Sequence, residues 1–214
     1  MIIAVDGPTA SGKGTIAKRL AAHLGVPHLD TGLLYRAVGR QVAINGGDPS
    51  DPSDAVRACD FPDELLDDPI LRAEETGSLA SQVSVHPVVR EALFKRQRAF
   101  AEQPGGAVLD GRDIGTVIAP DAEVKLFITA SVQERARRRW LEMIEKKLDQ
   151  EEEIPLTEIE KDIVARDARD INRKDAPLKA APDAMVIDTT SFDREAAFET
   201  VLEAVETALL EGKA

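Results

Sequence analysis

The chain has 214 residues, 43% of them hydrophobic, which is enough for one three-layer core with one or two small appendages and too little for two full domains. Its formal net charge of −12 excludes a general nucleic-acid or anionic-membrane surface, because such a field repels polyphosphate, so any phosphate site has to be a local basic pocket. A single cysteine, Cys59, excludes an intrachain disulfide, no window approaches the ~20 apolar residues of a membrane span, and no secretory signal pattern opens the chain; a cytoplasmic protein is expected.

Residues 2–5 form a continuous apolar run ending at Asp6 and Gly7, which predicts a buried strand delivering a loop. Past the loop, Ile16, Leu20, Ala21 and Leu24 recur at helical spacing and Gly25 closes the segment. A second helix is predicted at about 34–45, ended by Gly46 and Gly47. From 55 to 84 the pattern is weak and acidic, and a small, mostly helical segment is expected. Pro87 opens a helix that carries to Phe100 and stops at Pro104, Gly105 and Gly106. Residues 107–109 read as a core strand ending at Asp110, and 124–128 as a stronger one. Ser131 with Glu134 forms a capping box for a helix through Trp140; Thr157 with Glu160 suggests a second box, for a helix reaching Ile171, after the charged hinge DQEEEIP. A short strand at 185–187 precedes a last helix, stapled and capped by Phe192 and Asp193, with a core stripe of Ala197, Val201, Leu202, Val205 and Leu209. Short buried strands alternating with helices predict a parallel sheet covered on both faces.

The segment GPTASGKGT (Gly7, Pro8, Thr9, Ala10, Ser11, Gly12, Lys13, Gly14, Thr15) has the spacing G-x-x-x-x-G-K between a predicted strand and a predicted helix. Glycines let backbone N–H groups turn inward around phosphate oxygens, the helix N-terminus adds its dipole, and Lys13 brings positive charge to a transferring phosphoryl. Gly14 stands where such loops usually carry a Ser or Thr ligand for Mg²⁺, so the ion would depend on water and carboxylates; Asp110, at the end of a predicted core strand, suits that role through water as well as a simple loop-stabilising one.

Several basic residues admit two readings. Arg36 follows DTGLLY, where Asp30 and Thr31 would serve equally as a strand-to-helix cap. Arg112 and Asp113 lie in a glycine-bounded turn at a strand's carboxyl edge, facing a ligand or forming a solvated pair. Arg135, Arg138 and Arg139 share one helix face. Arg166, Arg169, Asp170 and Arg173 are spaced i, i+3, i+4 and i+7, which also fits an internal Arg166–Asp170 ion pair. His23, His28 and His86 have no metal-ligand spacing, and structural roles are expected for them.

Together with the phosphate loop, the segments DTGLLYR at 30–36, SQVSVHPVVREAL at 81–93 with RQRAF behind it, DGRDIGTV at 110–117 and ARDARDINR at 165–173 resemble the nucleoside monophosphate kinases, and among them the bacterial-type cytidylate kinases. The resemblance implies an α/β, three-layer P-loop kinase fold with a central parallel sheet, a monophosphate-binding insertion and a short lid. The implied division is core with phosphate loop at 1–45, insertion at 46–86, core at 87–139, lid at 140–157 and core at 158–214. It further implies ATP-dependent, Mg²⁺-assisted phosphorylation of CMP and dCMP by a monomer that engages no nucleic acid or membrane.

By the same resemblance, residues 7–15 bind ATP, and Lys13, Arg138, Arg139 and Arg173 are catalytic. Thr31, Arg36, Ser81, Arg90, Arg112, Asp113, Arg166 and Asp170 bind CMP, with Ser81, Arg90 and Asp113 reading the base. Many relatives carry a strand-rich hairpin before the serine at position 81; here a helix-like stretch stands in its place, and the acidic EEE run at 151–153 falls inside the implied lid. Two other readings stay open at this point: a P-loop kinase acting on UMP, AMP or a sugar acid, and a binding protein gated by ATP.

Overall fold

In the computed structural model, which describes residues 1–145 and 154–211, the elements run β1 (Ile2–Asp6), α1 (Lys13–Leu24), β2 (His28–Asp30), α2 (Thr31–Ile44), α3 (Pro52–Arg57), α4 (Glu74–Val83), α5 (Pro87–Ala101), β3 (Ala107–Gly111), β4 (Val124–Thr129), α6 (Val132–Glu145), α7 (Leu156–Asn172), β5 (Met185–Asp188) and α8 (Arg194–Glu211). Two 3₁₀ turns, Asp63–Asp67 and Pro69–Arg72, precede α4, and a single π turn, Ile114–Ile118, follows β3.

The five strands pair in the order β2-β3-β1-β4-β5, and every described pairing is parallel. Alternation along the central strands sorts side chains into two layers. Ile3 and Val5 of β1, Val108 of β3, and Val124, Leu126 and Ile128 of β4 face α1 and α8, where Ile16, Leu20, Phe198, Val201 and Val205 close the layer. Ala4 and Leu109 face the other way, toward Ala101, Ile114, Ile118 and Ala119. Leu20 has no solvent exposure, so its truncation to alanine should cost ~2–5 kcal/mol. This is an α/β fold with a central parallel sheet and flanking helices, as expected.

Helices α2, α3 and α5 bury a separate cluster with the turns before α4, built on Leu34, Val38, Leu71, Val83, Val89 and Leu93. That cluster carries the segment 46–86 beside the sheet, and the segment is helical, with α3, two 3₁₀ turns and α4, as expected. A smaller cluster, Ala136, Ile159 and Ile163, packs α6 on α7.

Two expectations shift, and one strand is added. The three-residue strand β2 gave no periodic signal; it exists because His28–Asp30 pairs in register with Val108–Asp110. Helix α2 starts at Thr31, directly off that strand, rather than near 34. The Thr157 capping box is absent: α7 begins at Leu156, preceded by Pro155, whose side chain cannot cap, and Thr157 lies inside the first turn. Ser131 and Asp193 do cap, accepting from the N–H groups of Glu134, and of Glu195 and Ala196. The charged hinge at 146–153 lies outside the described residues. Among the described residues no helix is long and apolar enough to cross a membrane.

Candidate active site

Register brings the site together at one sheet edge. Asp6 of β1 pairs with Gly111 of β3, and Asp30 of β2 with Asp110. The phosphate loop, the Arg112–Asp113 turn and the start of α2 therefore leave adjacent strands at their carboxyl ends, where α/β sheets place ligands.

The loop between β1 and α1 is held against the sheet by Gly7, where a Cβ would stand 2.1 Å from the Ile128 carbonyl oxygen. Gly12 caps α1 in the left-handed region without a side-chain bond, so the N–H groups at the helix start stay available to an anion. Ala10 also adopts a positive φ of 59°, an uncommon conformation for a residue with a Cβ. The Ser11 hydroxyl is buried without a hydrogen-bond partner. Lys13 is buried and its Nζ donates to the Pro8 carbonyl at 3.2 Å. Burial, and then the neighbouring Arg112, push its ammonium down to about 8.

Two cavities flank the loop. One, of about 450 Å³, is lined by Ala10, Ser11, Gly12 and Thr15 with Arg137, Arg138, Arg139 and Phe192. Arg138 Nη1 donates to the Ser11 carbonyl at 3.2 Å and to Thr189 Oγ1 at 3.0 Å, and Arg139 pairs with Glu142. Arg135 points its guanidinium inward instead, donating to the Thr9 carbonyl at 2.9 Å and pairing with Asp167 at 2.7 Å. It braces the loop from behind.

The second cavity, of about 100 Å³, is lined by Thr31 and Arg36 of α2, Ser81 of α4, Arg90 of α5, Arg112 and Asp113 of the turn after β3, and Arg166 and Asp170 of α7. Every residue expected to bind the acceptor thus lines the same space. Arg173, expected among the catalytic residues, also lines this cavity. Burial and then Arg90 lower its guanidinium below the ordinary range. Its Nη2 is buried with no hydrogen-bond partner, and Asp113 Oδ1 lies 3.6 Å away.

The charges in this cavity are arranged in pairs. Arg90 and Asp113 form a buried ion pair, and Arg90 lies 5.6 Å from the centroid of the Tyr35 ring. Arg169 Nε donates to Ser81 Oγ at 2.9 Å. Thr31 Oγ1 donates to the Asp110 carbonyl, and Arg36 to the carbonyls of Leu71 and Ala73. Arg166 pairs with Asp162 at 2.7 Å, not with Asp170 as i, i+4 spacing alone would allow. Bidentate guanidiniums and carboxylates at this density can grip a phosphate and read a polar base edge at once.

Sequence reasoning passed over Tyr35, Ser84 and Gly77, which also line this cavity. At Gly77 a Cβ would stand 2.7 Å from Arg166 Nη1 and 2.9 Å from Arg36 Nη2, so two guanidiniums lie directly on the α4 backbone. His28 likewise gains a role in packing: its Nε2 is 2.7 Å from Asp110 Oδ1. Cys59 donates to the Ala55 carbonyl, and burial pushes its thiol up to about 11, which disfavours the nucleophilic thiolate at neutral pH.

A family model described as cytidylate kinase matches residues 3–207. Proteins named cytidylate kinase from Cereibacter sphaeroides and Methylocella silvestris are 51% identical over 211 residues and 52% identical over 214. The matches cover 99% and 97% of this chain and 98% and 95% of the relatives. The solved structure of an uncharacterized protein from Eubacterium ventriosum superposes with a TM-score of 0.51 at 16% identity, over 96% of this chain and 98% of the other, a likeness of fold alone.

Proposed function

The chain belongs to the cytidylate kinase family, and from that premise we infer that it transfers the γ-phosphoryl of ATP directly to CMP and dCMP, giving CDP and dCDP. The observation that carries this reading is the convergence of α2, α4, α5, the turn after β3 and α7 on one cavity beside the phosphate loop. A protein that merely switches on ATP needs no second cavity lined by arginines.

In this reading a phosphate oxygen of CMP attacks the γ-phosphorus, the bond to the β-phosphate bridging oxygen breaks, and ADP leaves. No protein nucleophile is needed, because positioning and electrostatics suffice for phosphoryl transfer. The loop's N–H groups and Lys13 hold the β- and γ-phosphates, with Arg138 and Arg139 on the donor side. Arg36 and Arg112 grip the acceptor phosphate, Arg166 and Asp170 hold its ribose or phosphate, and Arg173 neutralises the bridging phosphates. Ser81, Arg90 and Asp113 read cytosine. Residues 46–86 act as the acceptor-side insertion and 140–157 as the lid, between core segments 1–45, 87–139 and 158–214.

Asp30 and Asp110 fit an Mg²⁺ ion held through water. Burial, then the charge of Asp110, raise the Asp30 carboxyl above the ordinary range, a cost that a cation relieves. Among the described residues no group of three or more His, Cys, Asp or Glu could hold a metal, so the remaining ligands would be phosphate oxygens and water. When bound, the ion supplies charge neutralisation to the phosphates.

The test is coupled ADP formation with ATP and each of CMP, dCMP, UMP, AMP and GMP. Turnover with CMP and dCMP well above the others is expected; ADP formation that depends on AMP, GMP or no acceptor at all would reject the reading.

A further inference from the structure

Asp6 ends β1 and directly precedes the phosphate loop, yet its side chain serves a different segment. It is buried, 4% exposed, and both carboxylate oxygens are used: Oδ1 accepts from the Ile114 N–H and Oδ2 from the Gly115 N–H, each at 2.8 Å. Those two N–H groups open the π turn that starts immediately after Asp113. The Asp113 carbonyl accepts from the N–H groups of Val117 and Ile118, so the turn is pinned at both of its ends.

We propose that Asp6 is a positioning residue: it fixes the Arg112–Asp113 turn to the strand that carries the phosphate loop, and thereby sets how strictly the acceptor base is read. The distinction between a base with an amino group and one with a carbonyl depends on where the Asp113 carboxylate stands. Asp113 is buried and pairs with Arg90 and Arg173, and a shift of an ångström at its backbone would trade one partner for another. Asp6 lines neither of the two cavities. It makes the geometry of the acceptor side depend on the same strand end as the donor side.

The carboxylate is retained against its own stability. Burial, offset in part by the two backbone bonds, pushes Asp6 up to about 6, and the Asp113 charge acts in the same direction. Since its folded pKa lies above the ordinary 3.8, the native protein binds more protons than the unfolded chain between about pH 4 and 6, and stability falls as pH rises through that window. A group kept ionised at neutral pH under such a penalty is one whose two acceptor oxygens are needed.

The proposal rests on the acceptor reading above, and the test separates the two. In Asp6→Asn one oxygen remains and an amide NH₂ faces a backbone N–H. Hydrogen exchange across residues 112–118 should speed up at least ~10-fold while residues 2–5 keep their protection, whatever acceptor the enzyme takes. The preference for CMP over UMP in kcat/KM should drop ~5-fold or more with ATP binding held within about 2-fold.

A folded D6N with native exchange in the turn overturns the positioning role. So does altered exchange with native CMP-over-UMP preference and native KM for CMP, which would make Asp6 a structural brace only. If the unmutated enzyme fails to distinguish CMP from UMP, the acceptor reading fails and exchange alone decides the role of Asp6. Should D6N not fold, Asp6→Glu carries the test: the carboxylate stays, but the added methylene moves both oxygens off the Ile114 and Gly115 N–H groups. It should show both changes, and their absence overturns the proposal.

Discussion

Arg112 and Asp170 pair at the cavity between α2, α4, α5 and α7, Nε to Oδ2 at 2.9 Å, while Nη2 of the same guanidinium donates to Thr9 Oγ1 at 3.0 Å. One planar fork thus joins the turn after β3, helix α7 and the phosphate loop. A lysine carries the charge but not the fork, so it can satisfy one of these partners at a time. Arg112→Lys is therefore expected to raise KM for CMP ~10-fold or more and to lower kcat as well, because donor and acceptor sides lose their shared tie. Steady-state kinetics in both substrates checks this; a KM and kcat within about 2-fold of native would show that charge alone is used at this position.

Lys13 makes a prediction with two opposite signs. Its ammonium is held down to about 8, against an ordinary 10.5, by burial and by Arg112. As pH rises through 8 the charge is lost in the free enzyme, and kcat/KM for ATP should fall on that limb. Stability moves the other way. Between about pH 8 and 10.5 the unfolded chain holds the proton and the native chain does not, so folding stability should rise with pH, by ~3 kcal/mol in the limit. Lys13→Ala should accordingly lower turnover ~10²-fold or more without lowering Tm. Near-normal turnover at saturating ATP and CMP would remove Lys13 from the reaction centre.

How far the sequence carried the fold depended on the length of each signal. The phosphate loop was legible because its spacing sits directly between a strand and a helix, β1 and α1, and α8 because Ala197, Val201 and Val205 repeat at helical spacing. Strand β2 was not, since three half-buried residues have no period of their own and become a strand only against Val108–Asp110. For the site, residues named from motif-like segments, Thr31 and Ser81 as well as the charged ones, line the cavity, while other helix residues were passed over. Gly77 within ETGSL and Tyr35 within LLYR look like ordinary helix residues until Arg36, Arg90 and Arg166 are seen against them. Asp6 was read only as the end of an apolar run, because its partners, Ile114 and Gly115, lie more than a hundred residues away.

Gly77 should separate stability from binding. In the interior of α4 an alanine gains helix propensity of up to ~1 kcal/mol. Its Cβ, however, would enter the space of Arg166 Nη1 and Arg36 Nη2 and push both guanidiniums off the helix. Gly77→Ala is expected to keep or raise Tm while raising KM for CMP ~3–10-fold, with KM for ATP little changed. An unchanged KM for CMP would mean that the two arginines reach the acceptor phosphate equally well from displaced positions.

The base assignment is the most exacting test of the acceptor side. Cytosine presents an amino donor beside the acceptors N3 and O2, so a carboxylate facing the amine with an arginine or hydroxyl facing the acceptors complements it. In the reading proposed above, Asp113, Arg90 and Ser81 supply those groups from three separate segments; all three line one cavity. Asp113 is paired with Arg90, and Ser81 accepts from Arg169 Nε at 2.9 Å, which leaves the serine hydroxyl proton to donate. Uracil sets a carbonyl where the amine was, placing acceptor against acceptor and leaving a buried polar group unpaired at ~1–3 kcal/mol. Asparagine at 113 can turn its NH₂ toward that carbonyl, and it also gives up the ion pair with Arg90. Asp113→Asn should therefore cut the CMP-over-UMP preference in kcat/KM by ~10-fold or more, with weaker binding of both. A mutant that binds both nucleotides more weakly but keeps the native ratio would show that Asp113 holds Arg90 in place and does not itself read the base.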